Sequence, residues 1–400
     1  MKTNIEIKPN VFWIGANDRK KNAWENYWPL PNGMAYNAYV IKDEKIALVE
    51  CMDKDFYENY IENVKSITKG QNVDYLVINH VEPDHSGAIK DLIREYPKMQ
   101  IVGNKKTYKE LVHFYGEIDN FHEVKDKDQI NLGKKNLTFF MTPMLHWPET
   151  MMTYLNEDKI LFSCDAFGSY GTNNGGIFDD EMNWNYLDIE VQRYYTNIVG
   201  KYCRSTQNAL KKLKGLEISL ICPSHGRIWR SHIDEIIAKY DKWSSYNTDK
   251  GVVIAYASMY GHTEQMADII ARFLVDYGIK NIRIYDVSKV HPSYIINDLF
   301  NFKGAIFGSC SYNNGIFPMM GALLEKIENV EIKNHYFGYF ANKSWAGGAV
   351  KRIQKFQENI KWDSIETCCD TFGTPGLKDI ELCRKIAKEM ADKLNSDFPE

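Results

Sequence analysis

His80, Glu82, Asp84 and His85 fall within six positions of one another in the stretch VINHVEPDHSGAI, residues 77–89. Two imidazoles and two carboxylates crowded after an apolar run are donor types that hold a metal ion. Carboxylates held together without a cation repel one another and shift towards their protonated forms, and a bound metal removes that conflict. Three more donors follow apolar runs further on: His146 in PMLHWPET, Asp165 in LFSCDAFG and His225 in LICPSHGRIW. Any one of them alone reads as a hydrogen-bonded polar residue at a strand end. Together the set is four histidines, two aspartates and one glutamate. That is too many for one metal and suits two, with a carboxylate bridging ions about 3.5–4 Å apart. His113, His122 and His232 keep that ordinary reading of a hydrogen-bonded polar residue.

A second constellation lies in YASMYGHTEQMA, where Ser258, Met259, Tyr260, Gly261, His262 and Thr263 join a strand to a helix. Hydroxyls and backbone amides at a helix N-terminus can cradle a phosphate without a lysine. Neither G-x-x-x-x-G-K nor G-x-G-x-x-G occurs there, so a terminal monophosphate fits better than a pyrophosphate. Two later loops add Ser309, Cys310, Ser311, Tyr312, Asn313, Asn314 and Gly315, then Ala341, Asn342, Lys343, Trp345 and Gly347. Tyr312 and Trp345 beside flexible backbone suit a flat ring such as isoalloxazine.

Both sets need a scaffold that gathers strand ends. VFWIG, NAYVIKDEKIALVE and DYLVINH are β-branched and aromatic runs separated by turn residues, and LTFFMTPML, KILFSCDAFG and ISLICPSHG predict further strands. Helical spacing marks 54–68, 87–96, about 185 to 213, and IDEIIAKYDKW. Strands grouped beside helices predict a layered α/β sandwich. The polar stretch SSYNTDKG reads as a linker, giving expected domains 1–248 and 249–400. Beyond it GVVIAYAS, NIRIYDVS, GAIFGS, HYFGYFAN and SIETCCDTFG alternate with helices starting near Thr263, Ser293, Pro318, Gly347 and Leu377. Such alternation predicts a doubly wound parallel sheet of order 2-1-3-4-5, with its ligand at the switch point between the first and third strands.

The totals exclude several classes. With 44% hydrophobic residues and 13% aromatics the chain builds real cores. A net charge of −4 leaves no electrostatic footprint for nucleic acid. No apolar run of about 18 residues exists to span a membrane, and the N-terminus lacks a signal-peptide core, so a cytoplasmic protein is expected. None of the eight cysteines forms a C-x-x-C pair, which argues against a rubredoxin-type or zinc-ribbon site. Cys368 and Cys369 read as buried thiols on a strand.

The order H-x-E-x-D-H, then H, D and H, resembles the metallo-β-lactamase-like fold, an αββα sandwich. Zinc hydrolases of that fold carry histidine where this chain has Glu82; the glutamate is similar to the pattern of flavodiiron proteins and gives the harder, oxygen-rich ligation that favours iron. The loop S-M-Y-G-x-T and the two later loops resemble the FMN loops of flavodoxins. The resemblance runs from VFWIGA to the last helix. It implies that His80, Glu82 and His146 bind one iron, that Asp84, His85 and His225 bind the other, and that Asp165 bridges them; in some members the histidine matching His85 points away and water replaces it. It further implies electron entry at FMN, reduction of O2 to water or of NO to N2O, and an external donor, rubredoxin or a reduced deazaflavin. The expected assembly is a head-to-tail homodimer or a tetramer. Against the family pattern, His262 stands where asparagine is common, Cys310 where proline is common, and Lys343 near where an aromatic often flanks the flavin. A lysine near the ring favours its anionic reduced form. Trp147 and Tyr195 are expected to pack the core and to be able to line the metal pocket. The rival from another class is a zinc hydrolase fused to a flavodoxin domain, against which Glu82 speaks.

Overall fold

The apolar runs of the first half become strands because β-branched and aromatic side chains fit a pleated, buried surface. In the computed structural model, which describes residues 4–399 and only the backbone of 184–188, seven of them form one sheet. They are Ile5–Lys8 (β1), Val11–Trp13 (β2), Tyr39–Lys42 (β3), Ile46–Val49 (β4), Tyr75–Val77 (β5), Gln100–Gly103 (β6) and Phe121–Glu123 (β7), in that spatial order. Strands β1 to β4 pair antiparallel, and β4 to β7 pair parallel. A second sheet holds Gln129–Asn131 (β8), Asn136–Met141 (β9), Met151–Leu155 (β10), Ile160–Cys164 (β11) and Leu220–Pro223 (β12), again in chain order. Trp13, Tyr39, Ile41, Val49 and Val77 of the first sheet share one core with Leu137, Phe139, Leu155, Phe162 and Cys222 of the second. Each such side chain contributes about 1.5–3 kcal/mol on burial. Helices flank the sheets. One of them, Tyr57–Thr68 (α1), buries Tyr60, Ile61, Val64 and Ile67 at helical spacing and stops at Lys69, whose φ of 52° is left-handed.

Two expected helices are interrupted. The stretch from 87 begins earlier, as a single turn Pro83–Ser86, and resumes as Ile89–Glu95 (α2). Residues 185–213 divide into Trp184–Tyr194 (α3), a wide turn Tyr195–Val199, a tight turn Gly200–Tyr202, and Cys203–Leu213 (α4). The interruption rotates the side chains after Tyr194 off the helical spiral, and it falls beside the metal-ligand cluster described below.

The second half follows the alternation. Asp249–Ala257 (β13), Ile282–Asp286 (β14), Phe302–Tyr312 (β15), Tyr336–Lys343 (β16) and two short pieces, Asp363–Ser364 (β17) and Cys369–Phe372 (β18), form a parallel sheet. Its order is β14-β13-β15-β16, with β17 and β18 both beside β16, which is 2-1-3-4-5 with a divided fifth strand. Because that strand divides, Cys368 falls outside it and is exposed, correcting the expectation that both neighbouring thiols are buried; Cys369 is. Chain contacts divide the molecule into Met1–Asp241 and Lys242–Glu400. Among the described residues no helix is long and apolar enough to cross a membrane.

Candidate metal centre and flavin site

The loops leaving β5, β11 and β12 at their C-terminal ends carry six of the seven donors. Asp165 follows β11 directly, and Cys164 before it has a left-handed φ of 57° at a slip in the β11–β12 register. That bulge turns the next side chain out of the pleat and into the cluster. His225 lies two residues beyond β12, whereas His146 lies on the loop between β9 and β10. All seven are buried, from 0% exposure for His80 and His225 to 9% for Glu82.

The donors form two sets, His80, Glu82, His146 and Asp165 in one and Asp84, His85 and His225 in the other. Asp165 Oδ2 faces His146 Nε2 at 3.1 Å and His80 Nε2 at 3.5 Å. Its other oxygen, Oδ1, faces His85 Nε2 at 3.1 Å and His225 Nε2 at 3.3 Å. Glu82 Oε2 lies 3.2 Å from His80 Nε2 and 3.4 Å from His146 Nε2, while Asp84 Oδ2 lies 3.2 Å from His85 Nε2 and 3.1 Å from His225 Nε2. Ligand atoms about 2.0–2.2 Å from one ion and at right angles to each other stand about 3 Å apart. The donor set fits two metals on this spacing. Both oxygens of Asp84 and Asp165, and Nε2 of His85 and His225, are buried with no hydrogen-bond partner, which for polar atoms is costly unless a ligand satisfies them.

Electrostatics agree. Burial alone would drive His146 and His225 towards neutrality, but the carboxylate of Asp165, with Glu82 for one and Asp84 for the other, outweighs it and pushes them up to about 9 and about 10. Asp165 is held well below the usual carboxylate range, because its histidine neighbours outweigh its own burial. Such a cluster must take up protons when metal-free, and cations replace those protons on binding. His85 points inwards, towards Asp84 and Asp165.

Outer contacts aim the rings. His80 Nδ1 donates to Glu149 Oε1 at 2.6 Å, an oxygen that also accepts from Val81 N–H at 3.0 Å, and His225 Nδ1 donates to the Ala35 carbonyl at 2.9 Å. Each bond fixes the tautomer that leaves Nε2 facing the centre. Sequence reasoning missed Glu149; its position three residues after His146 was the available signal. Trp147 meets His80 edge-on at 5.0 Å, so it lines the cluster. Tyr195 instead packs on Tyr240, and its hydroxyl faces Cys203 Sγ at 3.6 Å. Its neighbour Tyr194 lies 5.8 Å from the His225 ring, with a buried, unpartnered hydroxyl.

In the second unit a cavity at the C-terminal ends of β13, β15 and β16 is lined by Ser258, Met259, Tyr260, His262, Thr263, Cys310, Ser311, Asn342, Lys343 and Ser344. Ser258 Oγ accepts from Gly261 N–H at 3.0 Å, and Gly261, with φ 88°, precedes the 15-residue helix His262–Asp276. Hydroxyls, a left-handed glycine and free amides at a helix start suit a phosphate. Ser309 and Ala341 are buried in their strands and do not line the cavity. Asn313 and Asn314, with φ 47° and 57°, turn a tight hairpin in which Tyr312 pairs with Gly315. Trp345 is 82% and Tyr260 79% exposed, so both rings are open to solvent. Gly347 lies against the Lys343 stem. Sequence reasoning did not include Ser344.

A sandwich bearing two adjoining metal-ligand sets, followed by a doubly wound sheet with a phosphate loop, defines a two-domain metalloflavoprotein. Residues 34–226 match the model of the ODP family beta lactamase, and residues 254–377 match that of flavodoxin. The chain is 33% identical to the anaerobic nitric oxide reductase flavorubredoxin of Pectobacterium atrosepticum, over 97% of this chain and 77% of that one. Its fold is similar to the rubredoxin oxygen:oxidoreductase of Desulfovibrio gigas, with TM-score 0.95, 28% identity and all of both chains covered. It is also similar to the flavodiiron protein of Giardia intestinalis, with TM-score 0.94 and 26% identity over 98% of this chain and 97% of that one. The chain belongs to the flavodiiron protein family, oxidoreductases that reduce O2, NO or both. Its flavodoxin domain indicates FMN, and proteins of this family carry a diiron centre.

Proposed function

We propose that the protein is an oxidase that accepts electrons from an external donor at FMN and delivers them to a diiron site, where O2 is reduced to water. The observation that carries this reading is Asp165, whose two oxygens face different ligand sets at 3.1–3.5 Å. His80, Glu82 and His146 would hold one iron and Asp84, His85 and His225 the other. Two irons held by imidazole and carboxylate would supply electrons and Lewis acidity to a small diatomic. The chain's own residues keep the ligands aimed, through Glu149 and the Ala35 carbonyl, and exclude bulk water by burial. Each O2 consumes four electrons and four protons and yields two waters.

NO reduction is the second reading, favoured by the nitric oxide reductase name of relatives at 33% identity; two NO, two electrons and two protons yield N2O and water. The donor is rubredoxin or a reduced deazaflavin. Eight free thiols suit a cytoplasmic, reducing setting. The exposed Trp345 and Tyr260 faces support a head-to-tail homodimer, or a tetramer of two, in which a partner covers them. The deciding experiment reduces the FMN- and iron-loaded protein anaerobically and follows O2 and NO on electrodes under matched conditions. Rapid O2 loss without peroxide supports the oxidase; preferential NO loss with N2O formed supports the reductase. Consumption of neither, with zinc in place of iron, returns the zinc hydrolase.

A further inference from the structure

One ion pair borders the cavity of the second unit through its lysine. Lys343 ends β16 and lines the cavity together with Ser258, Thr263 and Asn342. Its ammonium pairs with Asp370 Oδ2 and lies 4.7 Å from the centre of the Phe372 ring. Both partners come from β18, whose parallel register sets Ala341 opposite Asp370 and Lys343 opposite Phe372. The two charged side chains are 17% and 30% exposed, so water screens them only in part. A Cβ on Gly347 would approach Lys343 Cδ to 2.9 Å, so this glycine lets the loop close on the lysine stem.

We propose that the Lys343–Asp370 pair sets the potential of the flavin, with Lys343 stabilising the anionic reduced state and Asp370 damping that charge. The inference rests on the FMN reading above. Two-electron reduction to the anionic form takes two electrons and one proton from reductant and solvent, and leaves a negative charge on the ring. A neighbouring ammonium favours that charged product over the neutral oxidised ring and so raises the potential, and a carboxylate beside the ammonium offsets it. Losing Asp370 therefore exposes the full lysine charge, and losing Lys343 leaves an uncompensated carboxylate. The two changes act in opposite directions. A merely structural role for the pair would move the potential with one sign or not at all.

The test is an anaerobic reductive titration of the full FMN-loaded protein against a reference dye, read from the flavin spectrum, with FMN content measured separately. Asp370→Asn is expected to raise the potential and Lys343→Gln to lower it, each by at least a tenfold change in the two-electron equilibrium, about 30 mV. Lys343→Arg keeps the wild-type value, and the Lys343→Gln, Asp370→Asn double variant returns towards it. Full FMN content with potentials unmoved, or moved in the same direction by both single variants, overturns the inference alone. If Lys343→Gln cannot hold FMN, Asp370→Asn decides, and an unmoved or lowered potential overturns it. A wild-type chain that retains no FMN instead refutes the flavin reading, and this inference with it.

Discussion

Replacing Glu149 by glutamine isolates what the outer carboxylate does for the metal centre. Glu149 Oε1 accepts hydrogen bonds from His80 Nδ1 at 2.6 Å and from the Val81 N–H at 3.0 Å, with both the His80 and Glu149 side chains buried. Burial alone would raise the Glu149 carboxyl, but the His80 bond outweighs it and holds it below the ordinary glutamate value. Glutamine keeps an acceptor oxygen in place but removes the charge. Hydrogen bonds to charged groups contribute about 1.5–3 kcal/mol and neutral ones about 0.5–1.5, so His80 loses roughly 1–1.5 kcal/mol of support as a ligand. Every 1.4 kcal/mol is about tenfold in affinity, which meets the lower end of the about 10–100-fold loss typical of outer-shell changes. The new amide N–H₂ takes the place of Oε2, which has no partner; that costs stability in metal-free and loaded protein alike and drops out of the affinity. Competition with an iron chelator, read as iron per chain with FMN content as control, should show one of two irons released about tenfold more readily. Iron retention within threefold of wild type, or equal loss of both irons, would refute the reasoning.

Asp165→Ala removes the carboxylate that faces both sets, so both irons and all gas reduction should be lost while FMN stays, as metal analysis and electrode assays check. Glu50 is fully buried, and burial raises its carboxyl to about 7. The folded metal-free protein therefore holds a proton that the unfolded chain has released, so stability present below about pH 4.5 falls by about 3 kcal/mol as pH rises through 7; denaturation of wild type and Glu50→Gln across that range should show the slope in the first only. Asp179 accepts from the backbone N–H groups of Arg230, Ser231 and His232 and from His232 Nδ1, so Asp179→Ala should cost about 2–4 kcal/mol, seen as a lower melting temperature with iron content intact. Gly261→Ala meets no atom within 4 Å but stands at φ 88°, which costs a side chain about 1–2 kcal/mol. The unliganded loop can relax from that strain, so the cost falls on FMN, whose binding by fluorescence quenching should weaken about 5- to 30-fold.

Residue type and local spacing were enough to pick out the seven side chains that the fold gathers into two sets, because each lies within a few residues of an apolar run that a turn interrupts. The same local logic located the loop that lines the cavity of the second unit and the alternation of its sheet, whose periods are written into neighbouring residues. Boundaries were less legible. The expected helix from about 185 breaks after Tyr194, and a one-residue change of phase puts Tyr194 rather than Tyr195 beside His225. Local pattern does not carry that phase, since backbone hydrogen bonding in the wide turn decides it.

What the sequence determined by itself was an inventory: which side chains could ligate, which backbone could cradle a phosphate, and which runs would be buried. These follow from side-chain chemistry and from periods of two and 3.6 residues, and need no knowledge of the fold. Tertiary structure alone decided partnership. Asp165 stands between His80 and His146 on one side and His85 and His225 on the other because the bulge at Cys164 turns it there. His80 finds Glu149 across 69 residues, His225 finds the Ala35 carbonyl across 190, and Lys343 finds Asp370 across 27. Charge and hydrogen bonding act over a few ångströms, and which distant residues come that close is set by strand register and loop path.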